Sequence, residues 1–175
     1  MNSVTINSDK EMKMKTLIVY ESRQGYTHTC AKEIGSLLEG SVVIVKAKDG
    51  YKEVLEQYDL IIIGSAIYAG RVPSSIKKFY KRKMEDLLQR PLALFMCGTG
   101  IELKDTYYSK NYPVPLLDHA MQKGWFGGVI IVDKHKNVTK FILSRILKGE
   151  KEKHVEKLED IPPFVDAIKK HLQKR

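Results

Sequence analysis

Short apolar runs alternate with amphipathic stretches along most of the chain. Thr16–Tyr20 (TLIVY), Val42–Val45, Leu60–Ile63, Leu92–Met96 and Phe126–Val132 are compact, strand-length apolar runs. A helical stretch from about Thr27 to Leu38 follows the first, and Tyr51–Gln57 reads as a short helix. A longer helix spans about Ser74 to Leu88, where Ile76, Phe79, Tyr80, Met84, Leu87 and Leu88 recur on one stripe. Ile161–Leu172 closes the pattern, with Pro162 and Pro163 suited to its first turn. Continuous apolar strands alternating with helices predict an α/β domain whose parallel sheet is covered on both faces.

Two stretches fall outside this rhythm. Residues 1–14 read as a disordered leader with Met14 as an alternative start, which leaves 15–175 as a single domain. Asp133–Asp160, between the fifth strand and the last helix, is longer than a usual connection, and long loops in compact domains are often functional. From Lys134 to Gly149 it has five basic residues and no acidic one, with Val138, Phe141, Ile142, Ile146 and Leu147 on a rough helical stripe. A basic amphipathic helix suits a membrane surface or a carboxylate-bearing substrate.

Composition narrows the partners. The 175 residues are 43% apolar, enough for a core, and no run is long enough to span a membrane. Net charge is +9 with a pI near 9.4, which favours negatively charged company. Nucleic acid is not expected, because no recognised motif is present and the basic residues are spread over several elements. Cys30 and Cys97 have neither metal-ligand spacing nor the look of a disulfide framework, and a cytoplasmic location is expected.

Ligands of open parallel sheets bind beyond the carboxyl ends of the strands, at the point where strand order reverses. Three loops are therefore candidates. The first, Ser22-Arg23-Gln24-Gly25-Tyr26-Thr27, runs straight into a helix, whose unpaired N–H groups and dipole favour an anion such as a phosphate. The second contains Ser65-Ala66-Ile67-Tyr68-Ala69-Gly70; its small residues allow close approach, Tyr68 offers a face for a planar ring, and Arg71 offers a cation. The third, Cys97-Gly98-Thr99-Gly100, exposes backbone donors and acceptors, with Cys97 read as a small apolar filler. No G-x-G-x-x-G follows the first strand, no P-loop motif is present, and the third strand ends without the carboxylate of a receiver domain.

At these loops the chain resembles the flavodoxin family. Ser22, Gly25 and Thr27 fit its phosphate loop, and Gln24 departs from it at the middle hydroxyl. Glu21–Thr27 and Gly64-Ser65-Ala66-Ile67-Tyr68-Ala69-Gly70 look closer to one branch, the menaquinone-dependent protoporphyrinogen IX dehydrogenases, which also carry a basic insertion after the last strand. The insertion here lacks that branch's run of aromatic and arginine residues. The resemblance implies a flavodoxin-like, doubly wound, five-stranded parallel sheet of order 2-1-3-4-5 with helices on both faces. It implies FMN as cofactor, held by the three loops, and an FMN-dependent oxidoreductase passing electrons from a porphyrinogen-like substrate to a quinone, with peripheral membrane contact through 134–148. The alternative is an electron carrier between redox partners with no substrate of its own.

Overall fold

The computed structural model describes residues 14–131 and 152–174. The leader up to residue 13 and the basic insertion at 134–148 lie outside the described residues. Five strands, β1 (Lys15–Glu21), β2 (Ser41–Lys46), β3 (Leu60–Ala66), β4 (Leu92–Cys97) and β5 (Gln122–Trp125), form one parallel sheet in the order β2-β1-β3-β4-β5. This is the topology that the sequence implies.

Alternation within the strands sorts side chains to two cores. On one face Leu17, Val19, Ile61, Ile63, Leu94 and Met96 pack against Ile76 and Phe79 of α2 (Ser74–Arg82), Leu87 of α3 (Met84–Leu88), Tyr108 of α4 (Lys104–Asn111) and Leu116 of α5 (Val114–His119). On the other face Ile18, Ile62, Ala93 and Phe95 meet Cys30, Ala31 and Ile34 of α1 (Tyr26–Leu37) and Phe164, Val165 and Ile168 of α6 (Ile161–Gln173). Helices thus cover both faces.

Three local readings are corrected. The fifth sheet strand is not Phe126–Val132 but the preceding Gln122–Trp125. At Gly127 the backbone takes φ 70° and the chain leaves the sheet, so that β6 (Gly127–Ile131) pairs antiparallel with β7 (Glu152–Glu156) in a separate ribbon. An edge strand of sequence QKGW has no apolar run to announce it, whereas the ribbon strand GGVII does. The helix expected over Ser74–Leu88 breaks at Lys83 (φ −108°, ψ 16°), whose ammonium reaches the Glu53 carbonyl (3.1 Å) and Asp86 (3.8 Å). Tyr51–Gln57 forms two single 3₁₀ turns, Gly50–Lys52 and Leu55–Gln57. The Met14 carbonyl accepts the Ser41 N–H at 2.9 Å.

The tightest packing lies at the centre of the sheet. Gly64 on β3 sits opposite Phe95 on β4, and a Cβ at Gly64 would fall 2.1 Å from the ring. Phe95 is fully buried, with its ring against Phe126 (centroids 5.4 Å apart), so it has nowhere to move. Gly64→Ala is expected to cost about 1–3 kcal/mol through overpacking, read as a lower urea midpoint at unchanged slope.

Candidate functional site

The parallel sheet brings the carboxyl ends of β1, β3 and β4 side by side, and with them all three candidate loops. Glu21 pairs with Ser65, and Ala66 with Cys97, so the loops leave the sheet from adjacent positions. The Ile67 N–H continues the ladder to the Cys97 carbonyl at 2.9 Å.

In the first loop, Gly25 occupies the N-cap of α1 in the left-handed region (φ 97°), a conformation that L side chains rarely adopt. Its N–H donates to Ser22 Oγ (2.9 Å), and its carbonyl accepts the His28 and Thr29 N–H groups. No side chain caps the helix. Thr27, which fits the phosphate loop by sequence, is fully buried, with its hydroxyl beside the Cys97 thiol. Gln24 is half-buried at the crest of the loop. Tyr26 turns away from the loop: its hydroxyl donates to the Phe126 carbonyl (2.7 Å) and accepts the Lys157 N–H (3.2 Å). Burial is the largest of the influences that hold this phenol well above its ordinary pKa. His28 stacks on Tyr20, with ring centroids 4.8 Å apart.

The second loop folds over the first. Ser65 and Ala66 are buried at the end of β3, where Ser65 Oγ donates to the Ala66 carbonyl. Tyr68-Ala69-Gly70-Arg71 is a tight turn closed by reciprocal backbone hydrogen bonds of 2.9 and 3.0 Å, with positive φ at both central residues (47° and 75°). Gly70 suits this; Ala69 is the sole described non-glycine residue at positive φ. Tyr68 does not stand free as a ring platform. Its hydroxyl accepts the Arg23 N–H at 2.8 Å, and the Arg23 guanidinium covers one face of the ring at 4.6 Å. Burial raises the Tyr68 pKa, so the phenol stays neutral in this contact. Arg71 is exposed.

A side chain that sequence reasoning passed over holds this loop in place. Asn111, at the end of α4 and only 3% exposed, accepts the Val72 N–H at Oδ1 (2.9 Å). Its Nδ2 donates to the carbonyls of Gly70 (2.9 Å) and Tyr107 (2.8 Å). Nothing in the sequence flags one asparagine on a polar helix.

In the third loop, Cys97 is buried, with its sulfur 3.7 Å from that of Cys30 on α1. Burial and then the neighbouring Cys30 push the Cys97 thiol well up, so it is the filler that its context suggests. The Gly98 N–H donates to the Gly127 carbonyl at 2.6 Å. A Cβ on Gly98 would sit 3.0 Å from Trp125, and one on Gly128 would sit 3.0 Å from Gly98. Thr99 and Gly100 are half-buried at the lip. Tyr107 reaches between the second and third loops, near Gly70 and Gly100, and stacks on Trp125 (centroids 5.8 Å apart). The structure therefore assembles three backbone-rich loops with an uncapped helix start, small residues and aromatic walls. Such a setting can hold an anion and a flat ring. Among the described residues no cluster of metal ligands is present, and no helix is long and apolar enough to cross a membrane.

The flavodoxin domain family matches residues 17–157, most of the chain. Among solved structures, oxidised flavodoxin 1 from Bacillus cereus aligns with 90% of this chain and 98% of its own, at 17% identity and a TM-score of 0.54. A short-chain flavodoxin associated with a PDU bacterial microcompartment aligns with 91% of this chain and 99% of its own, at 13% identity and a TM-score of 0.54. A flavo di-iron protein from Thermotoga maritima aligns over 90% of this chain but only 36% of its own, at 13% identity and a TM-score of 0.53. No curated protein matches the sequence. At such identities the structural likeness is one of fold, and the family rests on the match over residues 17–157: the chain belongs to the flavodoxin domain family.

Proposed function

We propose that the chain binds FMN across its three loops and works as an FMN-dependent oxidoreductase, passing electrons from a carboxylate-bearing substrate of the porphyrinogen class to a quinone. Family membership supports the cofactor, and the first loop fits it. The glycine N-cap and the uncapped first turn of α1 suit a phosphate, with Ser22, Arg23, Gln24 and Thr27 around it. Tyr26 would contribute only its backbone, because its side chain is engaged at the ribbon. Ser65–Gly70 and Cys97–Gly100 would flank the ring. FMN, when bound, supplies the redox chemistry, and the protein supplies binding, orientation and exclusion of water.

One observation carries the enzyme reading. The base of the β6–β7 ribbon is stitched to the third loop by the Gly98–Gly127 hydrogen bond, and the basic insertion follows in the sequence four residues beyond that bond, between Ile131 and Glu152. A simple carrier has no need of a basic insertion between these strands. A groove of about 320 Å³ between α4 and β5 is lined by Lys104, Lys123 and Trp125 but also by Asp105, so of its charged groups only the two lysines would favour a carboxylate. Peripheral membrane contact through 134–148 would bring a lipid quinone within reach. The carrier reading is favoured by a different fact: Ser22–Thr27, Ser65–Gly70 and Cys97–Gly100 hold no Asp, Glu, His or Lys to act as acid or base.

Binding of FMN should shift the flavin spectrum and raise the melting temperature; if both stay unchanged at saturating FMN, the cofactor is refuted. The loaded protein should oxidise porphyrinogen with menadione as acceptor, and deletion of Lys134–Lys148 should reduce both this rate and liposome binding. A wild type that is inactive with porphyrinogen yet readily reduces a haem protein is a carrier. Asn111→Ala should cost about 1–3 kcal/mol in unfolding free energy, because the buried Val72 N–H and Gly70 carbonyl lose their partner. It should also weaken FMN binding by loosening the second loop. Unchanged FMN affinity would separate that loop from the site.

A further inference from the structure

The solvent side of α2 is a concentrated cationic face that the proposed chemistry does not use. Between Ser74 and Lys83 there are five Lys or Arg residues and no Asp or Glu, in a chain whose net charge is +9. The apolar side of the helix is spent on the core: Ile76 and Phe79 are fully buried and Tyr80 is 5% exposed. Lys78, Lys81 and Arg82 are exposed opposite it, and Lys77 is half-buried. Lys77 and Lys81, like Lys78 and Arg82, stand four residues apart, a spacing at which like charges oppose helix formation. The helix dipole explains Lys81 and Arg82 in the last turn but neither Lys77 nor Lys78. Lys77, Lys78 and Lys81 form no ion pair among the described residues, in contrast with Lys83, which has Asp86.

This face adjoins the loops. Helix α2 begins where the second loop ends, and Ser75 Oγ donates to Glu21 Oε2 (2.9 Å) at the end of β1. At about 1.5 Å per residue, the whole stripe lies within roughly 13 Å of that junction. We propose that the cationic face of α2 docks an acidic protein that exchanges electrons with the chain's cofactor. This rests on the FMN reading above and goes beyond it by naming a surface and a partner class. A protein suits the face better than a lipid surface does, because α2 exposes no apolar side chain to insert; the large exposed apolar residues, such as Ile101, Leu103 and Val114, lie on other elements. Nucleic acid suits it less well again, since Phe79 and Tyr80 are buried and no ring is left for base stacking.

The test uses the FMN-loaded full chain and, as probe, a reduced acidic plant-type ferredoxin. Two ferredoxins each give one electron, and two solvent protons complete the reduction of FMN to its dihydro form. In the Lys77→Glu, Lys78→Glu, Lys81→Glu variant the bimolecular rate at low salt should fall about tenfold or more and converge on wild type at high salt. The matching Gln variant should fall part of the way, which guards against misfolding of the reversed one. Photoreduction by a neutral deazaflavin should proceed equally in all three proteins; if FMN is not bound at all, that control fails and the cofactor reading is at fault. Equal ferredoxin rates in wild type and variant overturn the docking face. So does an unchanged ferredoxin rate accompanied by lost binding to phosphatidylglycerol vesicles or to RNA, which would reassign the stripe to that partner.

Discussion

The close approach of two backbones at Gly98 and Gly127 governs how the upper end of this molecule is arranged. The 2.6 Å hydrogen bond between them is possible because side chains are missing on both sides: Gly98 lies against Trp125, and Gly128 lies against Gly98. A residue with a Cβ at either place would have to push aside a buried indole or the opposing backbone. Once that contact is made, the chain can no longer extend along the sheet. It turns out at Gly127 and pairs with Glu152–Glu156 instead. Tyr26 fixes the same crossing from the other side, bonding the Phe126 carbonyl and the Lys157 N–H. The first residue of α1, the third loop and the ribbon base are therefore parts of one hydrogen-bonded assembly.

The remaining loop joins by a second set of bonds. Tyr68 accepts the Arg23 N–H, which ties the second loop to the first, and Asn111 ties its far side to α4. A turn with positive φ at Ala69 is a strained choice, tolerated only where its surroundings hold it. Here Asn111 alone supplies three hydrogen bonds to Gly70, Val72 and Tyr107, and Tyr80 donates to the carbonyl of Asn111 itself. Rigid loops of this kind suit a cofactor whose ring must be held flat and whose charge must be met by fixed dipoles.

Much of this was legible in the sequence because the central strands are buried on both faces. Leu60–Ile63 and Leu92–Met96, short apolar runs between helical stretches, read as inner strands of a parallel sheet, and their loops then fall at one end by topology. What escaped was whatever lacks an apolar signature. The edge strand Gln122–Trp125 is mostly polar, and α4 (KDTYYSKN) buries only Tyr108 and Asn111. Tyr68 was legible as an aromatic at the site, but its attachment to Arg23 depends on a contact 45 residues away along the chain, which no local pattern encodes. Asn111 was silent for the same reason.

Charge bears on which partners the chain can meet. A carrier of the ordinary flavodoxin kind, typically acidic around its cofactor, would present the opposite field to its partners, whereas this chain stands at +9. Its positive charge is also not uniform. The stripe on α2 adjoins the first and second loops through Ser75 and Glu21, while the ribbon that brackets the basic insertion leaves from the third. The two cationic regions thus arise from different loops of one site. One is carried on a helix whose apolar side is locked into the core, and the other falls in the sequence between the two strands of the ribbon. A face held on a buried helix needs little ordering on binding, which suits the protein partner proposed for α2. On the proposals above, each region would have its own role in moving electrons through a single cofactor.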